Sequence, residues 1–198
     1  MKKIDKNQLD LFGPQVWYEY LLIISPDKEV SNAITLRKQK VNSLIGEGVY
    51  LNSTAHISLL EFLHTEHEMI LKRLKDILSK QKSFYVKLNG AAFFEPSPES
   101  KTLYIRVAEK LAIQRLTDQL KDGIGRGKKA NPHLTIAGGI SSKNHQIINS
   151  DLAQFKYEGE FVCKGITVLR RLKETPAAVW DFKVELPFGI LITEKGKI

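Results

Sequence analysis

Two segments of this 198-residue chain set a proton-carrying side chain beside a hydroxyl: His56-Ile57-Ser58-Leu59 and His133-Leu134-Thr135-Ile136. Both read histidine, apolar, hydroxyl, apolar. In an extended strand, residues two apart share a face. His56 and Ser58 would point one way, as would His133 and Thr135, while Ile57, Leu59, Leu134 and Ile136 turn into a core. Any one histidine meets this pattern by chance about 2% of the time, so one segment alone means little. Two among five histidines mean more. The chemistry that needs two such segments is the opening of a cyclic phosphodiester. One group must take a proton from water and another must give one to the leaving oxygen. Imidazole, with an ordinary pKa near ~6.5, does either at neutral pH. Each transfer contributes roughly 10² to 10⁴ in rate. Ser58 and Thr135 could donate hydrogen bonds to the non-bridging oxygens as charge builds there. The scheme requires no metal and no cofactor.

The elements that would hold these segments alternate along the chain. Residues 1–14 are polar, end at Gly13-Pro14 and read as an extension ahead of one domain over 15–198. Val16 to Ile24 reads as a strand. Ser25 and Pro26 look like the cap and first turn of a helix with Val30, Ala33, Ile34, Val41, Leu44 and Ile45 at apolar positions, stopped by Gly46 and Gly48. Ala55 to Phe62 is predicted as the first histidine-bearing strand. Thr65 and Glu68 match a capping box before a helix whose apolar face is Ile70, Leu71, Leu74, Ile77 and Leu78. Ser83 to Leu88 and Lys101 to Val107 read as strands, with Ala91 to Phe94 a further strand or a bulge. Ala108 to Asp122 should be helical with Gly123 as its stop, followed by the second histidine-bearing strand, Asn131 to Ala137. Lys143 to Phe155 reads as a helix. Glu160 to Lys173 and Val179 to Leu186 read as two strands joined at Glu174-Thr175-Pro176. Strand, helix and histidine-bearing strand thus recur in order, which points to an α+β fold with antiparallel pairing.

A net charge of +8 and a pI near 9.4 favour an anionic partner, nucleic acid or nucleotide first, although any soluble basic protein shares them. The single cysteine, Cys163, allows no disulfide within the chain and suits a reducing compartment. No signal peptide follows Met1-Lys2-Lys3, and the run Tyr20 to Ile24 is too short to span a membrane. The expectation is a cytoplasmic protein with no membrane partner.

Other features carry less. Gly123 to Lys129 is a glycine-rich basic loop that matches no nucleotide-binding fingerprint; Arg126, Lys128 and Lys129 could wrap phosphate or simply belong to a solvated loop. His64 and His67 lack further ligands for zinc and fit a helix start better. Arg170 and Arg171 read as surface charge. Tyr50, Tyr85, Tyr104, Phe93 and Phe94 could stack on bases or fill the core. Cys163 reads as an inert buried thiol.

The paired segments resemble the H-x-[ST]-h motifs (h, apolar) of the 2H phosphoesterase superfamily. His56-Ile57-Ser58-Leu59-Leu60-Glu61-Phe62-Leu63 is similar to the first motif of its bacterial RNA 2′,5′-ligase and cyclic phosphodiesterase branch through the trailing Phe62-Leu63. The order of elements matches from about Tyr18 to Leu186. The resemblance implies a bilobal α+β fold, with two pseudo-symmetric lobes, each an antiparallel sheet flanked by helices, around a central cleft. It implies catalysis by His56 and His133 without a metal, on 2′,3′-cyclic or 2′,5′-linked RNA ends. It would make Arg126, Lys128 and Lys129 RNA contacts at the cleft rim and, because the family cleft is completed within one chain, it implies a monomer. Two departures stand out. Ser58 replaces the commoner threonine, and Ala137-Gly138-Gly139 stands where bacterial relatives often carry an arginine. Two further readings remain at this level: a cyclic phosphodiesterase on a small nucleotide such as an ADP-ribose cyclic phosphate, and a non-catalytic RNA-binding module of the same fold.

Overall fold

The computed structural model describes residues 15–46, 51–175 and 179–192. β1 (Tyr18–Ile24) leads into α1 (Lys28–Ile45), β2 (Ile57–His64) and α2 (His67–Leu78). β3 (Phe84–Ser97) and β4 (Ser100–Val107) form a hairpin. Then come α3 (Leu111–Ile124), the short β5 (Lys128–Lys129), β6 (His133–Ile140), α4 (Ser142–Asn149) and a 3-10 turn at Leu152–Phe155. β7 (Glu158–Cys163), β8 (Gly165–Leu172) and β9 (Phe182–Pro187) complete the described fold. The strands make one curled sheet in the order β7-β3-β4-β6-β2-β1-β8-β9, with β5 beside β2. Its ladders are antiparallel.

The sheet has two halves, β9-β8-β1-β2 and β7-β3-β4-β6, joined through one residue pair, Ile57 opposite Leu134. An approximate twofold axis through that pair relates β1 to β4, β2 to β6 and β8 to β3. The helices cross over. α1 leaves β1 but packs on β6 and α4, while α3 leaves β4 but packs on β2 and α2. The halves are the two pseudo-symmetric lobes of the expected α+β architecture. The stripe Val30, Ile34 and Val41 of α1, Ile70, Leu74 and Leu78 of α2, and Ile113, Leu116 and Leu120 of α3 is buried against the sheet. Facing it, Leu22, Ile57, Leu59, Leu134 and Ile136 are wholly buried. Truncating one of these to alanine costs about 2–5 kcal/mol.

Several local expectations are corrected. Asp27, not Ser25, caps α1: its Oδ1 accepts the Val30 N–H at 2.9 Å, and the Ser25 hydroxyl meets Thr167 at 3.0 Å. The Thr65 and Glu68 capping box does not form. α2 starts at His67, and the Glu66 N–H donates instead to His64 Nδ1 at 3.0 Å. Gly123 does not stop α3, which ends at Gly125 with φ 80°. A Cβ at Gly123 would overlap Ile77 of α2, so this glycine permits close helix packing. Ala91 to Phe94 continues β3 past Gly90, whose φ is 76°. Lys143 to Phe155 is α4 plus a separate 3-10 turn. Glu160 to Lys173 is not one strand. It breaks at Lys164, and β7 joins β3 in one half while β8 joins β1 in the other. Residues 1–14, Gly48, Tyr50 and Pro176 lie outside the described residues.

Candidate active site

His56 immediately precedes β2, and His133 opens β6. Since Ile57 and Leu134 face each other in the core, the residues on either side turn to the opposite face. The register sets His56 beside Thr135 and Ser58 beside His133. All four line one cleft of about 620 Å³. A β-bulge follows each hydroxyl. β1 pairs with Ser58 and then Leu60, skipping Leu59, and β4 pairs with Thr135 and then Ala137, skipping Ile136. The skipped residues stay buried, so Leu59-Leu60 and Ile136-Ala137 are consecutive core pairs. Such bulges bend a strand and re-aim its side chains, and they cluster beside active sites. After the first bulge it is Glu61, opposite Lys128, that shares the cleft face with His56 and Ser58.

Both imidazoles are tied the same way. His56 Nδ1 lies 2.9 Å from the Thr54 carbonyl, and His133 Nδ1 lies 2.7 Å from the Asn131 carbonyl. A carbonyl can only accept, so Nδ1 carries the proton in each ring and Nε2 is the nitrogen available to exchange a proton. Burial holds both rings below the ordinary histidine range, and the carbonyl tethers oppose it in part. The Lys38 charge and the His133 ring push His56 lower still, while Lys110 pushes His133 lower. Repulsion between the rings disfavours a doubly charged site, so the pair takes up protons in steps. Neither the Ser58 nor the Thr135 hydroxyl has a hydrogen-bond partner among the described residues, which leaves both for a ligand.

The basic loop divides. Lys128 lines the cleft, and no ion pair engages it among the described residues. Lys129 also lines the cleft, but its ammonium pairs with Asp118 at 2.6 Å. Arg126 is exposed outside the cleft lining, near enough to His64 to oppose its protonation. Gly127 carries the loop against β2: its φ is 124°, and a Cβ would stand 3.0 Å from the Glu61 carbonyl. Of the aromatics, Phe94 lines the cleft. Phe94 and Tyr104 each set a ring edge-on to His133, with centroids 5.1 and 5.4 Å away. Gly139 also lines the cleft, so no side-chain cation reaches in from that point.

His64 closes β2 and His67 opens α2. His67 Nδ1 meets the Tyr20 hydroxyl at 3.0 Å, and among the described residues no cluster could hold a metal. The arginines are not simple surface charge. Arg171 is buried and pairs with Glu19 at 2.7 Å, while Arg170 lies over the rings of Tyr18 and Phe182. Cys163 is buried, and burial pushes its thiol up to about 12, consistent with an inert residue. A larger groove of about 1620 Å³ contains no histidine and carries Asp27, Glu29, Glu160 and Glu185. Those carboxylates would repel a phosphate, so the smaller cleft is the better site despite its size.

Two motif strands meeting at a twofold axis within one antiparallel sheet define the architecture of 2H phosphoesterases. The model of the 2′-5′ RNA ligase superfamily matches residues 26–175, and the chain belongs to that family. It is an enzyme of the 2H phosphoesterase kind. Among solved structures it is similar to apo LigT of E. coli, with 13% identity over 90% of this chain and 99% of that one and a TM-score of 0.59. TT0787 of Thermus thermophilus has 16% identity over 85% and 97%, with a TM-score of 0.56. Usb1 of Kluyveromyces marxianus has 15% identity over 88% and 99%, with a TM-score of 0.50. At these identities the likeness is one of fold. No curated protein matches the chain.

Proposed function

We propose that the protein is a phosphodiesterase of RNA ends, hydrolysing a 2′,3′-cyclic phosphate or reversibly making and breaking a 2′,5′ link, with His56 and His133 as its acid–base pair. One observation carries this reading: two rings with the same Nδ1 tether present Nε2 to one cleft across a single strand pair. For the cyclic phosphate, a neutral imidazole takes a proton from water as the water oxygen bonds to phosphorus. The protonated imidazole gives its proton to a ribose oxygen as that P–O bond breaks, leaving a phosphomonoester. Ser58 and Thr135 donate to the non-bridging oxygens, and Lys128 balances their charge. LigT of E. coli has been solved with 3′-AMP and Usb1 of K. marxianus with uridine monophosphate, which supports a nucleotide-ended substrate. The basic rim at Lys128 and Arg126 favours an RNA strand over a small nucleotide. One chain supplies both histidines, so a single copy suffices.

The test is incubation with a short RNA ending in a 2′,3′-cyclic phosphate, with the product followed by ³¹P NMR. A monoester product is expected. RNA that binds but stays unchanged would make the protein a binding module, and turnover of only a small cyclic nucleotide would replace the RNA substrate.

A further inference from the structure

α1 buries one face made of Val30, Ile34, Lys38 and Val41. Lys38 occupies a core position and is 3% exposed. Lysine is almost never buried to this degree without partners, because an ammonium loses its hydration there. Its Nζ donates to the Ser53 carbonyl at 2.7 Å and to the Ser53 hydroxyl at 2.9 Å. Ser53 and Thr54 line the cleft, and the Thr54 carbonyl tethers His56 Nδ1. The chain of contacts therefore runs from the buried ammonium through two consecutive residues to the ring. A leucine or methionine would fill the stripe of α1 without burying a charge. Packing alone does not account for a lysine here.

We propose that Lys38 is a positioning residue for His56: it clamps the Ser53–Thr54 segment that orients the ring, and its charge beneath the cleft makes His56 the histidine that stays neutral and accepts the proton. The other half of the site has a corresponding cation, but it is not buried. There Lys110 Nζ reaches the Asn131 side chain at 3.0 Å, and Asn131 is exposed. Water screens that cation. The charged groups acting on His56 are Lys38 from α1 and His133 from β6. Glu61 of β2 and Lys128 and Lys129 of β5 share the cleft but lie at its rim. Burial lowers the Lys38 ammonium to about 8, so it remains mostly charged at neutral pH. His133 is then the member of the pair that carries the proton to the leaving oxygen.

The inference rests on reading His56 and His133 as an acid–base pair. Lys38→Met removes both charge and donor, while Lys38→Gln keeps a donor for Ser53. Each is compared with wild type by NMR titration of the histidine rings and by the pH profile of kcat/KM. In both variants the His56 titration should move up in pH and carry the acid limb with it, while His133 stays in place. Turnover should fall roughly 10- to 100-fold in Lys38→Met, as misplacement of a reacting group does, and less in Lys38→Gln. An unmoved His56 titration in a folded variant, whatever its activity, would reduce Lys38 to a packing residue. If Lys38→Met does not fold, Lys38→Gln gives the same readout. Full activity in His56→Ala would overturn the pair itself, whereas a dead His56→Ala beside an unmoved titration overturns only the role of Lys38.

Discussion

The His56 half and the His133 half of the cleft share a backbone plan and differ in what lies behind each ring. Both tether Nδ1 to the carbonyl two residues back, and both carry a bulge three residues after the histidine. Behind His56 stands a buried cation, Lys38. Beside His133 stand the ring edges of Phe94 and Tyr104. The duplicated backbone supplies two equivalently tethered imidazoles, and under the proposed mechanism their unlike surroundings give them unlike roles. Acid–base catalysis needs this division, because a neutral and a charged imidazole must coexist.

The largest effect that tests this comparison is loss of either ring. His56→Ala and His133→Ala should each lower kcat/KM by roughly 10² to 10⁴. They should differ in form, with the acid limb of the pH profile lost in the first and the alkaline limb in the second. Next come the hydroxyls. Ser58→Ala and Thr135→Ala should each reduce kcat by up to roughly 10² to 10³, with KM little changed. Equal losses support a functional twofold, and a loss in only one would confine it to the backbone. The basic loop comes third. Lys128→Ala should lower kcat/KM by about tenfold and weaken its salt dependence, since each phosphate contact adds to that slope. Lys129→Ala should do less, because that cation is already paired with Asp118.

The smallest effect concerns stability. Both rings titrate below the unfolded value of 6.5. The unfolded chain therefore binds more protons as pH falls past 6.5, and stability is lost through that window. Denaturant melts from about pH 7.5 to 5 should show this decline, and His56→Gln should flatten it. An unchanged slope would mean that His56 is not held neutral by the fold.

The motif and the α+β class were legible because the apolar period is strong around His56 and His133, whereas the two lobes were implied by the family resemblance. The bulges were also written in those segments. Leu59-Leu60 and Ile136-Ala137 are doubled apolar pairs that interrupt strict alternation after each hydroxyl. Lys38 was a further signal, a lysine in register with Ile34 and Val41. What could not be read was partner choice. Nothing in the run from Glu160 to Lys173 shows that β7 and β8 lie in opposite halves, since pairing over long separation depends on the whole sheet. Arg171 likewise looked like surface charge because its partner, Glu19, is 152 residues away.

The most direct test of the central claim is hydrolysis of a short RNA with a 2′,3′-cyclic phosphate, in EDTA, by wild type, His56→Ala and His133→Ala. Wild-type turnover that survives EDTA and collapses in both variants is the expected result. Turnover that persists in either variant, or that requires an added metal, would contradict a paired-histidine site.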